Sequence, residues 1–255
     1  MTALIRLMLP LAGLVLFLAA CGPQPQVPDA DMDVSENTEI QEAFDQFSEE
    51  FIEAMLVHSP EWAIYQGRYE NADQVTLPTP AQRAADLDFL TFWMAQLEAF
   101  DPAELRAEQR SDYALIENVI SSRLWYQQEF RRWQWNPASY NAVRVISVLL
   151  NTEFAPLDER LRIVMARLAA VPEYYEAARQ NIDRPTLEHL DLAIVQNQGA
   201  FSILNEELLE QVRTSGLSAT EKAQFEQYFA AAEAAIKDWI DYLGMLSEQW
   251  ADRDD

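Results

Sequence analysis

The chain has 255 residues, 49% of them hydrophobic, only six glycines and a formal net charge of -24 at pH 7. It is long and apolar enough to bury a core, and its acidity excludes nucleic acid as a partner, because phosphate-backbone binding needs a basic surface that releases counterions. The single cysteine, Cys21, rules out an internal disulfide framework and any multi-thiolate zinc site.

Residues 1–20 carry one charged side chain, Arg6, then an apolar run that closes on Ala19 and Ala20. This is the layout of a secretory signal peptide, too short to be read as a spanning helix. Leu18-Ala19-Ala20-Cys21 resembles the lipobox of bacterial lipoproteins. The resemblance implies lipid on Cys21, and two or three acyl chains at about 0.8 kcal/mol per buried methylene anchor a protein stably where one does not. Gly22, in place of an aspartate after the cysteine, implies sorting to the outer membrane, facing the periplasm. Residues 21–38, with Pro23, Pro25 and Pro28 followed by acids, read as a flexible, extended tether.

Residues 39–255 are expected to form the folded domain. Ala, Leu, Glu and Gln dominate it, and apolar positions recur at three and four, so the fold class is all-α: a single antiparallel multi-helix array without strands. Ile40, Phe44, Phe47, Phe51 and Met55 mark a helix over 37–56. Ser59-Pro60 starts a short one stopped by Gly67, and Thr79-Pro80 starts another that ends near Asp101-Pro102. One long helix is predicted over 111–133, closed by Asn136-Pro137, and an apolar one over 140–150. Pro156 opens the next, with a separate short helix over 172–181. Two long helices, 185–214 and 219–250, finish the chain, the last capped by Ser218 and Glu221.

The glycines are too dispersed for a dinucleotide turn, a P-loop or a nucleophile elbow. Neither His58 nor His189 has a histidine four residues away or a glutamate three before, so no zincin or ferritin-like motif is present. No catalytic, cofactor-binding or metal-ligating residue is therefore assigned. His189, beside Glu188, is expected to be a buried, hydrogen-bonded side chain. Arg131, Arg132, Trp133 and Trp135 form the one basic aromatic stretch. Arginine and tryptophan are favoured interface anchors, so the stretch is a candidate interaction patch; the alternative is a helix end packed by rings, with the arginines on terminal carbonyls.

Several segments together resemble a bacterial family. They are His58-Ser59-Pro60-Glu61-Trp62-Ala63 with Gly67, Trp135-Asn136-Pro137 with Tyr140, residues 155–161, and Asn181-Ile182-Asp183-Arg184-Pro185 with Gln198-Gly199. The family is the domain-of-unknown-function family numbered eight-eight-five, and the resemblance runs over 44–250. It implies an α-helical fold related to zinc-dependent carboxypeptidases of the H-E-x-x-H class, with the metal helix in a C-terminal part that this chain lacks.

The expected function is thus a lipid-anchored, non-catalytic binding or structural domain of the cell envelope, leaning away from an enzyme. Its expected partners are the membrane, through the lipid on Cys21, and a protein. The alternative is the N-terminal half of a zinc peptidase, active only with a missing or separate C-terminal half, the one case in which zinc enters as a cofactor. A domain so divided would leave an apolar face uncovered, and Trp239 and Trp250 on the last helix are the candidates for it.

Overall fold

The computed structural model describes residues 31–251. Cys21, the signal peptide and the tail beyond Ala251 lie outside the described residues. The fold is all-α, and no strand occurs among the described residues.

Helix α1 (Asp31–His58) starts ahead of the expected residue 37; no proline or glycine interrupts the sequence between Pro28 and Pro60. Helix α2 (Pro60–Tyr65) follows at once and stops where Gly67 takes a φ of 78°. A side chain there would be strained. Helix α3 (Pro80–Leu97) opens as predicted, the Thr79 hydroxyl accepting from the Gln82 N–H at 3.1 Å. Helix α4 (Ala107–Trp125) ends earlier than expected. A π-turn over Tyr126–Phe130 and left-handed Arg131, φ 47°, separate it from α5 (Arg132–Trp135).

Helix α6 (Arg144–Asn151) leads to α7 (Leu157–Asn181), which runs through Pro172 instead of breaking there. Pro172 is exposed at the edge of the face that Leu168, Val171, Tyr175 and Ala178 bury. That packing outweighs the roughly 3 kcal/mol an interior proline costs a helix. The predicted 185–214 helix is two: α8 (Leu187–Gln198) and α9 (Glu206–Thr214), parted by a 3-10 turn at Gly199–Ser202 and by Asn205, whose side chain caps α9 at 3.0 Å. Helix α10 (Ala219–Ala251) begins with the predicted capping box: the Ser218 hydroxyl and amide both donate to Glu221, and the Glu221 N–H donates back.

Neighbours α7 and α8 run antiparallel, but α10 runs parallel to α7. Arg162 pairs with Glu221 at 2.7 Å, and further along both helices in the same direction Arg179 pairs with Asp238. Helices α8 and α9 make the return. The turn into α10 is tight, since the Gly216 N–H donates to Asp158 at 2.9 Å and a Cβ on Gly216 would collide with that carboxylate.

The array has two apolar interiors. The smaller joins α1, α3 and α4 around Phe44, Phe47, Phe51, Met55, Leu97 and Ile120. The larger joins α2 and α6 to α10 around Ile146, Leu149, Leu168, Leu190, Phe225 and Trp239. Trp239 is 0% exposed, stacked on Tyr175 at 5.5 Å, and Trp250 packs partly buried against the same cluster. The expectation that these tryptophans mark an uncovered face is wrong: Trp239 is core, and Trp250 packs at the edge of the same core.

Candidate functional site

Between the two interiors runs a groove, and the ends of short elements meet there. Helix α1 delivers His58 at its last residue, α2 presents Glu61 and Trp62 on its first turn, and α3 presents Asp86. Together with Ser59, Thr76, Leu90, Arg123, Tyr126, Gln127 and Arg132 they line a hollow of about 530 Å³. A second hollow of about 540 Å³ lies beyond Glu61, bounded among others by Tyr65, Asn141, Arg144 and Tyr174.

The His58 Nε2 atom lies 2.9 Å from Asp86 Oδ1, and its ring stacks on Phe89 with centres 4.0 Å apart. Asp86 also accepts from Gln82 at 2.9 Å. Glu61 accepts from the Thr76 hydroxyl at 2.7 Å and from Arg167 at 2.6 Å. The Arg167 side chain is 2% exposed and donates its other arm to the carbonyls of Ala72 and Gln74, which pins residues 66–79 against α7.

A buried polar network underlies this groove. Tyr140 donates to the Trp133 carbonyl at 2.6 Å. Asn181 donates to the Pro78 carbonyl at 2.6 Å and to the Tyr140 oxygen at 3.2 Å, while its own oxygen accepts from Arg83 at 2.8 Å. Asn197, 0% exposed, accepts from Tyr175 at 2.6 Å and donates to the Tyr140 carbonyl at 3.2 Å. Burial pushes the Tyr140 hydroxyl up to about 12 and also raises that of Tyr175. Tyr140 and Asn181, which belong to two of the segments that carry the family resemblance, are bonded to each other, and Glu61 of a third lines the groove.

Of the predicted patch, Trp133 is half-buried beneath the Arg83 guanidinium, 4.0 Å from its ring centre, and donates to the Gln127 carbonyl at 3.3 Å. Trp135 donates to the Phe130 carbonyl at 3.0 Å and meets the edge of His189 at 5.1 Å. Arg131 is exposed and reaches back to the Gln128 carbonyl at 2.7 Å, the terminal-carbonyl role weighed for it. Arg132 alone of the four lines the groove. His189 is hydrogen-bonded as expected, to the Thr186 hydroxyl at 2.6 Å, but half-buried instead of buried, because it lies near the start of α8 against Trp135.

Sequence reading missed the pairs His58 with Asp86 and Glu61 with Arg167, since their members lie far apart in the chain. It also missed Arg123. Among the described residues this half-buried guanidinium has only the Met55 sulfur within bonding reach, at 3.9 Å, and desolvation holds its pKa below the usual arginine value despite the field of Asp86.

Among the described residues, no three His, Cys, Asp or Glu side chains converge as a metal site. Among the same residues, the His58 ring bonds only to Asp86, so no hydroxyl is placed for activation by it. What the groove offers is aromatic walls, fixed polar groups and guanidinium donors, a set suited to holding a ligand.

A solved structure from Shewanella oneidensis, described as a candidate lipoprotein of unknown function, is similar to 82% of this chain, with 44% identity and a TM-score of 0.80. The chain spans 38% of that protein's length. No curated protein matches it. Residues 60–255 match the family described as Bacterial protein of unknown function (DUF885), and the chain belongs to that family.

Proposed function

We propose that this protein is a lipid-anchored domain of the cell envelope that binds a ligand or partner through the seam groove and performs no catalysis by itself. The observation that carries this reading is the state of the groove's reactive groups. His58 is tied to Asp86, and Glu61 to Arg167 and Thr76, while Arg123 and Arg132 are left to face a ligand. The lipobox at residues 18–21 supports the anchor, as does the similarity to a candidate lipoprotein. Labelling of cells with radioactive palmitate tests it: wild type takes up label and sediments with outer membranes, and Cys21→Ser does neither. Purified protein that bound one zinc ion and cleaved peptides unaided would sink the non-catalytic reading.

A second reading has one observation in its favour, the 38% of the Shewanella protein that this chain spans. On it, the domain is the helical wall of a zinc peptidase of the H-E-x-x-H class, completed by a C-terminal half. The DNA beyond the codon for Asp255 and the neighbouring genes decide. With no H-E-x-x-H coding stretch in any frame, this reading is removed.

A further inference from the structure

We infer that the hollow at the C-terminal end of α1 is a receptor for an organic carboxylate, held by Arg123 and Arg132 against the walls formed by Trp62, Leu90 and Tyr126. This rests on the reading of the groove as a binding surface and names its ligand class.

The first argument is charge. In a chain of net charge -24, two guanidinium groups face one hollow and neither has an ion-pair partner among the described residues. The Arg123 head group contacts a thioether sulfur, and Arg132 stands 5.6 Å from the centre of the Tyr126 ring. The Asp86 carboxylate acts on Arg123 through its field, but its bonds go to His58, Gln82 and Gln127. Glu61, on the far side of the same hollow, is engaged by Arg167. A half-buried cation with no carboxylate bonded to it is costly to keep, and an anion that bonds to it recovers part of that cost.

Nearby Arg83 adds to the positive field. It too has no carboxylate partner among the described residues, sits over Trp133, and has its pKa lowered by burial. A cation would meet these guanidinium groups as like charges, so the hollow does not suit a metal ion or an amine.

The second argument is shape and polarity. Guanidinium groups bind both carboxylate and phosphate in their fork, but a bare phosphate leaves the ring of Trp62, the side chain of Leu90 and the half-exposed Tyr126 without a contact. A carboxylate on an aromatic or aliphatic body uses both parts of the site. The volume of about 530 Å³ lies within the usual range for small-molecule sites.

Calorimetric titration of the purified protein with 3-phenylpropionate, its neutral amide and inorganic phosphate tests the inference. The acid is expected to bind saturably, the amide and phosphate at least about tenfold more weakly, about the worth of one charge-assisted bond. Arg123→Gln and the exposed Arg132→Gln are each expected to weaken the acid about tenfold or more, with thermal melts showing that both variants fold. Phosphate binding as tightly as the acid, or acid binding unchanged in a folded Arg132→Gln and a folded Arg123→Gln, overturns the carboxylate assignment alone. Equal binding of acid and amide does the same. No binding of any of the three overturns the groove as a binding surface together with it.

Discussion

The two apolar interiors of this array are built from different materials. The α1, α3 and α4 interior is rich in aromatic rings: Phe44, Phe47, Phe51, Trp93 and Phe100 meet ring to ring at 5.3 to 6.4 Å, and among the described residues Gln109 is the buried polar residue beside them, bonded to the Gln41 carbonyl and to Asp45. The α2 and α6 to α10 interior is largely aliphatic, but a chain of polar side chains threads it: Tyr140, Tyr175, Asn181, Asn197 and Arg167. Apolar contact is tolerant of small shifts, whereas buried hydrogen bonds demand one geometry. Two members of the polar chain reach out of that interior, Asn181 to Arg83 on α3 and Arg167 to Glu61 in the groove, so the demand for a fixed geometry extends to the groove.

The largest test of this contrast is to weaken each interior separately. Trp239→Ala and Phe44→Ala each remove a large, fully buried ring and are expected to cost about 3–5 kcal/mol. Scanning calorimetry of Phe44→Ala should show the smaller interior melting ahead of the larger. A single transition that moves as a whole would show instead that the seam welds the two into one unit.

A smaller effect belongs to the polar chain. Asn181→Ala takes away two donated bonds and one accepted bond, leaving the Pro78 carbonyl and Arg83 without that partner, at a cost of about 1–3 kcal/mol in urea melts. Because the loss falls at the seam, the same variant should also weaken any ligand that titrates into the groove. Undiminished binding would separate the network from the site.

Alkaline pH gives a third comparison. The hydroxyl of Tyr140 is raised by burial from an ordinary 10.0 to about 12, so its contribution is fully present below pH 10 and is lost as pH rises through about 12. Melting temperatures between pH 9 and 12 should fall for the larger interior first, and with a shallower slope in Tyr140→Phe. The smallest effect is on the acid side. Hydrogen bonding from Arg162 and Ser218 holds the Glu221 carboxyl down at about 2, so that contribution is present above pH 4.5 and fades as pH falls through about 2. Glu221→Gln should melt slightly below wild type at neutral pH and converge with it near pH 2. A gap that stays constant with pH would show that the cap, and not the charge, carries the effect.

Much of the helical order was legible because its signals are local. Thr79-Pro80, Ser218 with Glu221 and Gly67 each act within a few residues, and the structure uses all three as read. The errors fall where distant packing decides. Pro172 stays helical because the adjoining face of α7 is buried. The π-turn before Arg131 has no residue type that announces it, since a left-handed arginine is a departure from preference. The site was less legible than the fold. His58 and Asp86 are far apart in sequence, Arg123 looks like any helix arginine, and only the fold shows which acids stand near it without bonding to it.

Helix α1 runs without interruption for 28 residues, from Asp31 to the groove at His58. At 1.5 Å per residue it is a rod of about 42 Å. One end continues toward Cys21 and the other end forms part of the ligand wall, so for a chain attached at Cys21 the rod sets a stand-off that the length of the preceding segment does not change. The separation between the start of the rod and the mouth of the groove is set by backbone hydrogen bonds alone.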